Sequence, residues 1–207
     1  MNSSKQPKAT DLTFRPLVLT SEKIEALWTD FSRFWQVFDD VLPKTFEVFK
    51  ATLMSPYNAF YEFTEGGRTV GLASGMGIRP GVDAVIHIAM FDRRLKGREL
   101  AFLMCLGDFM VNYKLRRVTA FLPDDNPMAQ KLARRLGFVH EGTMRDGMKR
   151  RGQFWDTQML GLLIEELYAS LKAHAARPPV MAPRPKADAD GQYSLPLAEA
   201  GGEPERV

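Results

Sequence analysis

The chain has 207 residues, enough for one ordinary domain with a core that can sustain itself. It is 45% hydrophobic and 26% charged, as globular proteins are, its single cysteine (Cys105) excludes a disulfide framework, and no apolar run approaches the ~18 residues of a membrane span. A net charge of +3 is too small to mark a nucleic-acid binder, and His87, His140 and His174 are too scattered to suggest a metal cluster, so no metal is expected.

In chain order, residues 1–10 read as a polar, disordered arm. They hold no apolar stretch of the secretory type, so a cytoplasmic location is expected. Leu12 to Leu19 reads as a first strand. Ser21 reads as an N-cap, followed by a helix to Trp35 with Ile24, Leu27, Trp28, Phe31 and Phe34 on one face. A second helical stretch starts at Asp39 or Asp40 and runs toward Leu53. Tyr57 to Glu65 and Thr69 to Met76 are strands joined at Gly66-Gly67, and Gly77 to Gly81 is a further turn. Asp83 to Phe91 is apolar enough for mid-sheet. Arg98 to Lys114 then has helical periodicity, with Leu103, Leu106 and Met110 on one stripe. Arg117 to Leu122 is a strand, and Asn126 to Leu136 a helix closed by Gly137. Phe138 to Arg145 and Phe154 to Leu163 form a last strand pair, with a short helix over Glu165 to Ala173. Residues 176–207, rich in Pro, Ala and Gly, read as a disordered tail, leaving one domain over 11–175. Strands and helices in this order predict a three-layer α/β fold whose mixed central sheet is flanked by helices.

Two segments carry chemistry. In Phe91-Asp-Arg-Arg-Leu-Lys-Gly-Arg-Glu-Leu100 a buried strand runs through a cationic, glycine-bearing loop into a helix. Free N–H groups at a helix start, a close-approach glycine and the cations Arg93, Arg94, Lys96 and Arg98 make a cradle for a pyrophosphate. A solvated basic helix start is the competing reading. The second segment, Val118 to Gly142, is a strand, an acidic turn (Asp124-Asp125), a helix opened by Asn126-Pro127, then Gly137-Phe138 and Glu141-Gly142.

Together these segments resemble the GNAT superfamily of acyl-CoA-dependent N-acetyltransferases, most of all the branch that acetylates ribosomal-protein N-termini. The matching pattern is Asn126, Ala129, Gly137-Phe138 and Glu141-Gly142, with Asp156 in the last hairpin. The likeness holds by motif over residues 69–167 and by element order over 12–65. It implies a three-layer GNAT-like α/β fold with a mixed, mostly antiparallel sheet. The arginine-rich loop is also similar to that of GNAT-like phage proteins. The family's Gln/Arg-x-x-Gly-x-Gly/Ala loop stands here as Arg94-Leu-Lys-Gly97-Arg-Glu99, so a carboxylate replaces a small residue beside the expected pyrophosphate.

The resemblance implies acetyl-CoA as cofactor, with the pantetheine arm on the strand backbone at Ile88 and Met90. It implies the pyrophosphate on the loop of Arg93, Arg94, Leu95, Lys96, Gly97, Arg98 and Glu99, and the arm held by Asn126 and Ala129. It implies direct attack of an amine, from a protein N-terminus or a small molecule, on the thioester. His87 is the first candidate for a base, because its reference pKa lies near ~6.5 and its strand borders the expected thioester. Glu62, Asp124 and Asp125 are lesser candidates. Ala133 stands where many members carry a tyrosine acid, so no acid is expected there. Met144, Phe154 and Trp155 are expected to border the acceptor groove, and Lys149-Arg150-Arg151 to form a solvated hairpin tip. Cys105 reads as core packing. Other readings stay open: a GNAT-fold module without chemistry that binds a partner, of the kind phages carry, and a nucleic-acid binder, which no motif supports. A homodimer or protein partner is open too, and no membrane is expected.

Overall fold

The structure is a computed structural model, and it describes residues 12–33, 45–92 and 94–176. The arm, the tail beyond Ala176, the proposed helix start at Asp39 or Asp40, Phe34, Trp35 and Arg93 lie outside the described residues.

The elements are β1 (Thr13–Pro16), α1 (Ser21–Phe31), α2 (Phe46–Met54), β2 (Ala59–Glu65), β3 (Arg68–Arg79), β4 (Asp83–Met90), α3 (Glu99–Asn112), β5 (Arg117–Pro123), α4 (Pro127–Arg135), β6 (Val139–Arg150), β7 (Gln153–Leu163) and α5 (Ile164–Ala175). The cap of α1 is Thr20 rather than Ser21, its hydroxyl accepting from the Lys23 N–H at 3.1 Å, and Thr45 caps α2 in the same way. Two strands outrun the sequence reading. β3 continues through Gly77 to Arg79 because Gly77, at φ +58°, absorbs a register shift after Met76. β6 runs to Arg150 over a second irregularity between Met144 and Met148.

The strands form one seven-stranded sheet in the order β1-β2-β3-β4-β5-β7-β6. Neighbours are antiparallel except β4 and β5, which are parallel. Alternation assigns the two faces. Tyr61 and Phe63 meet α3, Phe63 edge-on to Phe102 with centroids 5.2 Å apart and Tyr61 bonded to Asp108 at 2.7 Å. Glu62, between them, faces α1 and accepts from Lys23. Helices therefore cover both faces. The main core lies under α3, where Phe102, Leu103, Leu106 and Met110 are buried against Ile86, Val118 and Leu160. Cys105 is buried among them, and burial pushes its thiol far above the usual range, so it packs as a small apolar side chain. α5 packs on α3 through Leu167 and Leu171, which meet the bare surface of Gly107.

Candidate functional site

β4 and β5 pair only at Asp83–Arg117, Ala84–Val118 and Val85–Thr119. Beyond those pairs the strands part, although β4 continues to Met90 and β5 to Pro123. The sheet is held on either side, because β3 pairs β4 to Met90 and β7 pairs β5 to Pro123. The splay thus leaves backbone polar groups from the Ile86 carbonyl to Met90 without a strand partner on their β5 side, a set that an extended ligand arm can satisfy.

On the α1 face of the sheet a cleft of about 500 Å³ opens beside the splay. Met76, Val85, Phe121, Met144 and Met148 give it apolar walls. His87 and Thr157 are its polar side chains. His87 stands on β4 and is partly buried, with neither ring nitrogen hydrogen-bonded among the described residues. Burial holds its pKa below the usual histidine range, so the imidazole is neutral at pH 7 and carries a free lone pair.

Glu62 is placed differently. It is 2% exposed and receives Arg15 at 2.7 Å, Thr69 at 2.8 Å and the Lys23 ammonium. Burial pushes its pKa up, but the bonds from Lys23, Thr69 and Arg15 outweigh it and hold the carboxylate ionised. It ties β1, β2, β3 and α1 together and has no free edge for a substrate proton. Asp124 accepts from Gln158 at 3.0 Å and Gln130 at 3.3 Å, at the start of the β5–α4 turn. Asp125 pairs with Arg150, which is 3% exposed; the expected solvated tip is therefore reduced to Arg151-Gly152, with Lys149 and Arg150 in strand β6. Of the expected groove residues, Met144 lines the cleft, Phe154 is exposed with the Lys149 ammonium over its ring, and Trp155 pairs with Met148.

The loop before α3 is an ion-pair hub. Arg98 is fully buried, donating to Asp92 twice at 2.8 Å, to Glu65 at 3.0 Å and to the Arg94 carbonyl at 3.0 Å. Arg94 binds the same two carboxylates from the outside. Burial pushes Asp92 up, but Arg98 and Arg94 more than reverse this. Two of the cations assigned to a ligand by the sequence reading therefore neutralise the chain's own acids. Lys96 is exposed and makes no ion pair among the described residues. Gly97, at φ +83°, presents its N–H, but the Glu99 carboxylate folds back onto it at 2.8 Å and also meets Arg135 of α4 at 3.1 Å. A side-chain anion thus occupies the place where a phosphate would meet this amide. Leu95 is partly buried against the core.

Asn126 caps α4, its side-chain oxygen accepting from the Ala129 N–H at 3.2 Å, which leaves its amide nitrogen without a partner among the described residues. Ala133, four residues on, is buried and offers no acid. The β4 backbone, Gly97 and Asn126 suit an acyl-CoA, with one condition: the Glu99 carboxylate must leave the Gly97 amide when a diphosphate arrives. Phe121, Met76 and Met148 carry no local signal of this role, because three distant strands converge on the cleft only in the fold.

No family model and no curated protein sequence matches the chain. Solved structures are. The spermidine/spermine N-acetyltransferase SpeG of Vibrio cholerae, in mutant form, is 16% identical with a TM-score of 0.64, over 76% of this chain and 96% of that one. The spermidine N-acetyltransferase of Vibrio cholerae in complex with CoA and spermine is 17% identical with a TM-score of 0.64, over 76% and 98%. SpeG in complex with manganese ions is 17% identical with a TM-score of 0.61, over 76% and 95%. At that identity the likeness establishes the fold: this chain has the mixed α/β fold of GNAT acetyltransferases. Among the described residues no helix is long and apolar enough to cross a membrane.

Proposed function

We propose that the chain is an acetyl-CoA-dependent N-acetyltransferase that moves an acetyl group to an amine by direct attack. The observation that carries this reading is the parting of β4 and β5 after three pairs, flanked by the Gly97 loop and by the cleft that holds His87. The cofactor supplies an acetyl thioester; the amine nitrogen bonds to its carbonyl carbon, the carbon–sulfur bond breaks, and N-acetylamine and thiol are released. The open edge of β4 at Ile88 and Met90 would align the pantetheine amides, and the Asn126 amide would hold the arm. Lys96 and the N–H groups from Leu95 to Glu99 would face the diphosphate. Neutral His87 would accept the proton that the attacking nitrogen sheds, directly or through one water. With Ala133 in place of an acid, that proton returns to the leaving sulfur from His87 or water. The branch resembled in sequence suggests a protein N-terminus as acceptor, and the solved neighbours act on spermidine or spermine.

One observation favours a second reading, a GNAT-fold module without chemistry that serves a partner. The Glu99 carboxylate on the Gly97 amide is an internal competitor for the diphosphate. Calorimetric titration separates the two. Acetyl-CoA binds the native chain, and Glu99→Ala, by freeing the amide and removing a like charge, tightens that binding about tenfold, the equivalent of ~1.4 kcal/mol. A folded native chain that takes up no acetyl-CoA overturns the enzyme reading; uptake by Glu99→Ala alone then points to the module.

A further inference from the structure

A site for a polycation must replace the hydration of every ammonium group it covers, which calls for carboxylates or aromatic faces at matching intervals. The cleft beside the splay is built otherwise. Its walls are Met76, Val85, Phe121, Met144 and Met148, and three unbranched thioether side chains make a surface that adapts to apolar shapes. No carboxylate is among the described residues that line it; Asp156, beside the lining Thr157, accepts the Asp146 N–H at 3.0 Å, and Asp146 is exposed. Three other acids of the sheet and its turns are engaged. Glu62 holds Lys23, Arg15 and Thr69; Asp125 holds Arg150; Asp124 is bridged by Gln130 and Gln158. His87 offers one proton-accepting position on the wall, enough for a single nitrogen.

We propose that the acceptor is a single primary amine carried on a large apolar body, aliphatic or aromatic, and not a polyamine. This rests on the acetyltransferase reading above and names its substrate class. The amine meets His87 at the splay while the apolar body lies against Met144, Met148 and Phe121. A second ammonium, as in spermidine, would lie against methionine side chains without an anionic partner.

The test uses the full chain with acetyl-CoA and three acceptors: 2-phenylethylamine, a peptide beginning with methionine, and spermidine. Mass-spectrometric assay should give kcat/KM at least about tenfold higher for 2-phenylethylamine or the peptide than for spermidine, the scale on which an apolar pocket discriminates. Met144→Asp, at an exposed position that tolerates charge, should reverse that ratio while calorimetric acetyl-CoA binding stays unchanged. In methyl-labelled protein, 2-phenylethylamine should shift the Met76, Met144 and Met148 signals, and spermidine should not. Equal or better use of spermidine, an unmoved ratio in Met144→Asp, or unshifted methyl signals would overturn the proposal. A chain that binds acetyl-CoA and prefers spermidine sinks only the substrate class; one that binds no acetyl-CoA sinks the acetyltransferase reading as well.

Discussion

His87 combines two properties that oppose each other in water, a free lone pair and partial burial. Burial alone lowers its pKa, since no charged partner among the described residues offsets it. Two consequences differ in kind. As a base, His87 works only while neutral, so the acid limb of kcat/KM should lie below the ordinary histidine value of ~6.5. His87→Gln should remove that limb and lower kcat/KM about a hundredfold or more. In stability, the folded chain resists protonating His87 and the unfolded chain does not. Stability is therefore intact above ~6.5 and falls as pH drops toward the folded value. Urea midpoints measured from pH 7.5 to 5 should fall more in the native chain than in His87→Gln; parallel curves would show that the ring is not desolvated. Residues whose partners are local were legible in the sequence: Asn126 caps Ala129 as its spacing suggests. Arg98 was not. It looks like a ligand cation, but Glu65 reaches it from thirty-three residues upstream and makes it an internal counter-ion. Glu99 stood out as an anomaly, and only the fold shows that it turns inward, because Arg135 comes from another helix.

Between elements, α3 seats itself on the sheet through a missing side chain. Phe109 lies over Gly75 of β3, and a Cβ there would stand 2.0 Å from its ring. The ring is buried, so it has no open side to turn to. Gly75→Ala should cost about 1–3 kcal/mol by overpacking, a large part of the ~5–15 kcal/mol that holds a domain folded. Phe109→Leu shortens the ring side and should recover part of that loss. The double variant would then be less destabilised than the two single changes added, with a coupling of about 0.5–3 kcal/mol in a denaturant-melt cycle. Additive effects would mean that Phe109 does not rest on Gly75. The sequence placed both elements but not this contact, since Gly75 looks like any strand glycine until Phe109 arrives from α3. Strand ends were misread for a related reason. Gly77 reads as the start of a turn, but it sits in a left-handed kink within β3, and the strand expected to end at Arg145 continues through the irregular stretch between Met144 and Met148.

At the scale of the whole molecule, one parallel contact in an otherwise antiparallel sheet opens the gap on which the proposed chemistry rests. A crossover through α3 brings β5 beside β4 in parallel, and α4 with β6 and β7 then pulls β5 away after Thr119. The order of elements was legible, because hydrophobic period and turn residues are local signals. The splay was not, because it depends on how many residues two strands share, and no local pattern carries that number. It has a direct physical signature. The Ile88, Met90 and Phe121 amides, which face the gap, lack a strand partner and should exchange with deuterium faster than those of β2 and the paired stretch of β3. An extended ligand arm laid along β4 would take the place of the missing strand. Saturating acetyl-CoA should therefore slow exchange in peptides spanning residues 86–99 and leave β1 and β2 unchanged. Protection that spreads evenly over the sheet would indicate general tightening instead, and none at all in a chain that binds the ligand calorimetrically would place the ligand elsewhere. The pattern of protection thus reports whether the gap between β4 and β5 is the seat of the cofactor, independently of turnover.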